Sequence, residues 1–210
     1  MQSYNILAID PATSTGYCIC KITKEKEGII VEYGIIEVDT ASAYQGDHCI
    51  DLMNKFKKII TDKDIKKIAI EDYYFSRKCA SGSNVNVAFR TAIHILARSM
   101  NLEYKVIGIS NWKKHIAGRS IPTAAQKKKW KNAANKYFIQ QAVFDKWGIK
   151  FPNHLINGNG KCVLFKSDIV DAVAICIFYA ETELNVKKIT STVNIAENIN
   201  EKKYNKMFMY

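Results

Sequence analysis

The hydrophobic and polar positions of the chain form two kinds of segment. Short runs rich in isoleucine and valine, each bounded by turn residues, predict five strands, at residues 4–9, 17–22, 29–38, 66–72 and 104–109. Apolar residues that recur every three or four positions predict helices, at residues 44–60, from about 87 to 100, at 110–118, 122–147 and 166–184. The segment 153–161 reads as a loop because it is rich in asparagine and glycine.

The order of these elements predicts an α/β fold. Three consecutive strands form an antiparallel meander, and two later strands, each preceded by a helix, join the sheet in parallel. We therefore expect a mixed five-stranded sheet flanked by helices. With 210 residues, of which 48% are hydrophobic, the chain is long enough for one domain, which we place at residues 1–184. Residues 185–210 form a C-terminal extension for which the sequence predicts no structure.

Carboxylates occupy unusual positions in this pattern. Asp10 ends the first predicted strand and Glu71 ends the fourth, while Asp168 and Asp171 are three residues apart on one face of the last helix. Taken singly, each has an ordinary explanation: a turn before proline, a strand end in solvent, or an acid at a helix N-terminus. Asp171 is harder to explain in this way because an apolar helical segment follows it.

If the two strands are neighbours, these four acids meet at one end of the sheet and repel one another unless positive charge lies between them. Oxygen ligands favour Mg²⁺ or Mn²⁺, and we expect two ions per site, as in hydrolysis of phosphodiesters. Zinc is not indicated, since the six cysteines form no CxxC pair and read as reduced, buried thiols.

Positive charge is concentrated in one part of the chain. The net charge is +11, from 31 Lys and Arg against 20 Asp and Glu, and the excess lies mainly between residues 105 and 150. Aromatic residues alternate with the lysines there, as on surfaces that bind nucleic-acid backbone and bases. Candidate DNA contacts are Lys113, Lys114, Arg119, Lys127, Lys128 and Lys129. No apolar stretch is long enough to span a bilayer, so we expect a soluble intracellular protein that binds no membrane.

Three motifs together resemble the RuvC family of Holliday-junction resolvases. They are IDPATSTGYCIC at 9–20, IAIEDYYFSRK at 68–78 and KSDIVDAVAICI at 166–177. The resemblance implies a ribonuclease-H-like fold and a homodimer that resolves four-way junctions by symmetric paired nicks in DNA recombination and repair. It also implies that Asp10, Glu71, Asp168 and Asp171 are the catalytic metal ligands.

By the same resemblance Lys113 and Lys127 contact backbone phosphates, and Tyr74 is an aromatic residue at the junction centre. A long segment between residues 118 and 166 and the C-terminal extension suggest a divergent member, such as a viral or organellar one.

Other functions remain open at this point. A second nuclease of the same fold could act on other branched DNA, linear duplex or RNA/DNA hybrid, and a non-catalytic module could bind junctions without cutting them. An ATPase of the actin and sugar-kinase type begins with a similar strand and turn. It would need a second, glycine-rich phosphate loop, for which this chain has neither the length nor the sequence.

Overall fold

The computed structural model describes residues 2–39, 41–72, 80–131, 134–151, 154–156, 162–164, 167–193 and 198–200. The strands of these residues are β1 (Tyr4–Asp10), β2 (Ser14–Ile22), β3 (Glu27–Glu37), β4 (Ile65–Glu71), β5 (Glu103–Ile107), β6 (His154–Ile156), β7 (Cys162–Leu164), β8 (Lys188–Ser191) and β9 (Asn198–Asn200). The helices are α1 (Gln45–Asp62), α2 (Ala80–Ser99), α3 (Ile109–Ala117), α4 (Ala124–Trp130), α5 (Ala134–Trp147) and α6 (Ser167–Thr182).

The main sheet has the order β5-β4-β1-β2-β3-β8. Strands β1, β2 and β3 form the antiparallel meander, and β4 and β5 extend it in parallel from β1, which confirms the predicted α/β architecture. The predicted count of five strands is wrong, because β8 pairs in parallel with β3 as a sixth. This strand is only four residues long, KITS, which is too short for a recognisable pattern.

Beside β8, Ile189 is buried where Gly28 leaves room for it: a β-carbon added to Gly28 would lie 3.2 Å from the Ile189 side chain. The sixth strand thus depends on a tertiary contact that local sequence does not reveal.

A second, smaller sheet has the order β7-β6-β9. Strand β6 lies inside the segment 153–161 that reads as a loop, so that prediction is wrong for its three residues. β6 pairs antiparallel with β7 and parallel with β9. The pairing of β6 with β9 joins segments that are more than forty residues apart. Such short strands form only with their partners, and the sequence of one strand alone does not indicate them.

Two helix boundaries also differ from expectation. Helix α2 begins at Ala80 and includes the Ser/Gly/Asn-rich stretch that precedes the predicted start. The single long helix predicted over 122–147 is two helices, since Lys131 has φ 49° and ψ −126° and ends α4. A capping box between Thr123 and Gln126 fixes the start of α4 by reciprocal hydrogen bonds.

The sheet separates two hydrophobic cores because successive side chains of a strand point to opposite faces. In β1, Ile6 and Ala8 pack in the core that contains α6, α3 and α5, whereas Leu7 and Ile9 pack in the core under α1 and α2. Helix α6 is the centre of the first core, with every residue from Ile169 to Ile177 buried except Asp171. Among the helices of the described residues, none combines the length and the apolar character that crossing a bilayer requires.

Candidate active site

The strand pattern places two acids on the same face of the sheet. Ile9 of β1 is opposite Ile70 of β4 in a parallel pairing, so the next residues, Asp10 and Glu71, are neighbours at the ends of both strands. Asp10 follows Ile6 and Ala8 with period two, and Glu71 follows Ala69 in the same way. Both carboxylates therefore lie on the face covered by α6. Asp10 is buried, with 8% of its surface exposed, and Glu71 is half-buried.

Asp10 and Glu71 share a hydrogen bond. Burial raises the pKa of Asp10 well above its ordinary value, and the charges of Glu71 and Asp168 raise it further. Burial likewise raises the pKa of Glu71, to about 7, with a further increase from the charge of Asp171. Both shifts favour the protonated forms of these two acids.

Helix α6 brings the other two acids to this end of the sheet. Asp168 lies in its first turn and Asp171 one turn further, and both are half-buried. The electrostatic effects show pairwise proximity, Asp168 acting on Asp10 and Asp171 acting on Glu71. Among the described residues, no group of three Asp, Glu, His or Cys side chains is arranged so that it could hold a metal ion. The four acids are thus linked by pairwise electrostatic interactions.

Gly16 permits this approach of the helix. It is the β2 partner of Asp10, and a β-carbon added to it would lie 2.0 Å from the backbone oxygen of Asp168 and 3.1 Å from the nitrogen of Ile169. No side chain fits in that space, so the first turn of α6 rests directly on the backbone of β2. Beside it, the buried hydroxyl of Thr15 donates to the carbonyl of Ala12 and fixes the turn that follows Asp10.

Two residues of α3 complete the surroundings of Glu71. The indole N–H of Trp112 donates to Oε1 of Glu71 at 2.8 Å, and Trp112 is fully buried. The positive charge of Lys113 lowers the pKa of both Asp10 and Glu71, and its Nζ lies 5.0 Å from the centroid of the Trp112 ring. The sequence indicated Lys113 as a site residue but did not indicate Trp112. The alternation of lysines and aromatic residues predicted only that this part of the chain forms a DNA-binding surface.

The remaining predicted DNA contacts lie on an exposed basic surface formed by α3, α4 and the segment between them. Its exposed cations are Lys114, Arg119, Lys127, Lys128 and Lys129. Within the described residues none of these five has an ion-pair partner, whereas lysines elsewhere, such as Lys63 and Lys67, pair with glutamates. Helix α4 buries no residue, so its lysines face solvent. The predicted junction aromatic, Tyr74, lies outside the described residues.

A mixed sheet of this order, with helices on both faces and acids at the ends of two neighbouring strands, defines the ribonuclease-H-like class of fold. A family model described as "Crossover junction endodeoxyribonuclease RuvC" matches residues 6–135, more than half of the chain. The chain belongs to the RuvC family of crossover junction endodeoxyribonucleases, which are nucleases that depend on divalent metal ions. The family and the enzyme class indicated by the three motifs are thereby confirmed.

Solved structures show the same fold. Thermus thermophilus RuvC aligns with a TM-score of 0.61 at 13% identity, covering 88% of this chain and 98% of that one. The T. thermophilus RuvC in complex with a Holliday junction substrate gives 0.60 at 12% identity, with the same coverage. A yeast mitochondrial Holliday junction resolvase gives 0.51 at 13% identity, covering 88% of this chain and 82% of that one. No curated protein sequence matches the chain.

Replacement of Gly16 by alanine is expected to disrupt the site. The new β-carbon meets backbone of α6 rather than a flexible side chain, so the helix must move away from β2 and take Asp168 with it. We expect a loss of stability of about 1–3 kcal/mol, comparable with other overpacked core positions, and at least a 100-fold loss of junction cleavage. Gly46→Ala, in an open position of α1, is the control and should retain stability and activity. A fully active Gly16→Ala variant would contradict this packing.

The raised pKa of Glu71 predicts a pH dependence of stability without divalent ions. The pKa of Glu71 is about 7 in the folded chain and 4.5 in the unfolded reference state. The folded chain therefore binds this proton more tightly, and the stabilisation that results is complete below pH 4.5 and is lost as the pH rises through 7. Glu71→Gln should therefore be more stable than the wild type at pH 8, by about 1–2 kcal/mol, with little difference at pH 4.5. Denaturant unfolding in EDTA measures this. Glu25→Gln, at an exposed turn, should follow the wild type, and a Glu71→Gln difference independent of pH would refute the assignment.

Proposed function

We propose that this chain resolves four-way DNA junctions as a homodimer, by symmetric paired nicks, in recombination and repair. Its active site would consist of Asp10, Glu71, Asp168 and Asp171, with two Mg²⁺ or Mn²⁺ ions bound between them. The supporting observation is that buried and half-buried carboxylates, which repel one another, meet at one end of the sheet beside a surface of unpaired lysines. The chain also belongs to a family of crossover junction endodeoxyribonucleases, and we therefore infer that its substrate is a DNA junction.

The donor set fits hard divalent cations. All four candidate ligands are carboxylates, which supply the oxygen ligands that Mg²⁺ and Mn²⁺ prefer. In the metal-free chain the pKa values of Asp10 and Glu71 are both raised, by burial and by the charges of neighbouring acids. A divalent cation between the acids would offset this repulsion, and Asp168 and Asp171 would complete the ligand set from the helix side.

Each protein group has a distinct task in this mechanism. When bound, the ions supply an activated water and stabilise the oxygen that leaves the cleaved phosphodiester. Asp10 and Glu71 give the site a rigid base, since both stand at the ends of paired strands. Lys113, whose charge lowers the pKa of both acids, would contact the phosphate next to the cut and balance its charge.

The basic surface would bind the arms of the junction. Lys114, Arg119 and the three lysines of α4 are exposed and have no ion-pair partner among the described residues, so they are available to phosphate oxygens. One protomer provides one set of four acids. Two nicks placed symmetrically on a four-way junction therefore call for two protomers, which is the reason for the proposed homodimer.

Substitution of any of the four acids by its amide should abolish cleavage of a synthetic four-way junction in Mg²⁺ or Mn²⁺. We expect at least a 1,000-fold loss for Asp10→Asn, because the amide removes a metal ligand and leaves the packing of β1 intact. Junction affinity measured in EDTA should stay within about threefold of the wild type, since the lysines and not the acids contact phosphate.

Asp145→Asn provides the control, because Asp145 is an exposed acid within the lysine-rich part of the chain between residues 105 and 150. This variant should cleave the junction normally. Equal cleavage by Asp10→Asn and the wild type would refute the proposal. Faster cleavage of linear duplex or RNA/DNA hybrid than of the junction would instead favour another nuclease of this fold.

Simultaneous replacement of Lys127, Lys128 and Lys129 by alanine should weaken junction binding and reduce its salt dependence. If each lysine neutralises one phosphate, the slope of log K against log[salt] should become shallower by about 2 to 3. The control replaces three exposed lysines outside the basic surface, Lys24, Lys57 and Lys58, and makes the same change in net charge. Equal slopes for the two triple variants would place the DNA surface elsewhere.

A further inference from the structure

Trp112 forms a contact with the site that neither the motifs nor the family match assigns. Its side chain is fully buried, and its indole N–H donates to Oε1 of Glu71 at 2.8 Å. Indole nitrogen is a donor only, so this hydrogen bond uses its whole capacity. A buried donor that loses its partner is destabilising, and this ties the orientation of Glu71 to that of the ring.

The chain path explains why the ring reaches this carboxylate. Ile107, the last residue of β5, is paired with Glu71 of β4. Helix α3 begins two residues later, and the backbone N–H of Trp112 bonds to the carbonyl of Gly108 in its first turn. The first turn of α3 therefore lies next to the end of β4, and Trp112 points back from it toward the sheet.

Glu71 has a second close neighbour at the site. Oε1 accepts from Trp112, while the carboxylate also interacts with Asp10. A glutamate has three side-chain torsions, and contact with two partners restricts them. Glu71 is thus held beside Asp10, and the charge of Asp171 from α6 acts on the same carboxylate.

We propose that Trp112 is a positioning residue that orients Glu71 for divalent-cation binding. This inference rests on the proposed function, in which Glu71 is a metal ligand. Groups that hold the ligands of a metal contribute to its affinity, and their removal typically weakens binding by 10- to 100-fold. The ring also fills the core, so the test must separate the N–H group from the packing.

The test compares two tryptophan variants of the full chain. Trp112→Phe removes the N–H group and keeps an aromatic ring, and Trp147→Phe is the matched control, because the Trp147 indole donates to a different carboxylate, Oε1 of Glu181, at 2.9 Å. Mn²⁺ affinity, measured directly by electron paramagnetic resonance, should fall at least 10-fold in Trp112→Phe. It should be unchanged in Trp147→Phe, and junction binding in EDTA should be unchanged in both.

Wild-type Mn²⁺ affinity in Trp112→Phe would overturn the role of Trp112 and leave the proposed function intact. Wild-type Mn²⁺ affinity in Glu71→Gln would overturn the proposed function itself, and this proposal with it. The two failures are therefore distinguishable.

A second measurement on the wild-type chain covers the case in which Trp112→Phe does not fold. The chain has three tryptophans, and their indole ¹H–¹⁵N signals can be assigned with Trp130→Phe and Trp147→Phe. The Trp112 signal should shift on addition of Mg²⁺ and in Glu71→Gln, while that of Trp147 stays in place. A Trp112 signal insensitive to Mg²⁺ at concentrations that support cleavage would overturn the proposal.

Discussion

The contact between α6 and the backbone of β2 is the constraint on which the candidate site depends. Apolar burial on nearly all sides of α6 draws the helix into the core, and Gly16 lets its first turn approach without an intervening side chain. The same approach brings Asp168 and Asp171 toward Asp10 and Glu71, where like charges oppose it. Hydrophobic packing thus stabilises an arrangement of charges that would separate if the carboxylates were free in solution.

Donors and cations surround the acidic site. Trp112 and Lys113 are consecutive residues of α3, so one element provides both a neutral donor and a cation that act on Glu71. Helix α4 carries exposed lysines and buries no residue. An acidic centre with a basic surround can bind both divalent cations and the phosphates of DNA, which a uniformly charged surface could not.

The strands that carry the site could be predicted from the sequence because their signals are local. β1 and β4 are apolar runs that end in an acid, and the spacing of Asp168 and Asp171 is visible without any knowledge of packing. The features that escaped prediction depend on partners distant in sequence. Strand β8 needs β3, β6 needs β7 and β9, and the break between α4 and α5 depends on one lysine in the left-handed region.

The role of Trp112 escaped prediction for a related reason. An aromatic residue among lysines is equally compatible with the surface and with the core, and only the position of α3 beside β4 decides between them.

The division of β1 between two cores has a consequence for how such a chain can diverge. Ile6, Ala8 and Asp10 share one face only because single residues separate them. An insertion or deletion of one residue within this strand would turn the acid toward the opposite layer. Substitutions that preserve the alternation are compatible with this geometry and a change of register is not, which agrees with a fold shared with T. thermophilus RuvC at 13% identity.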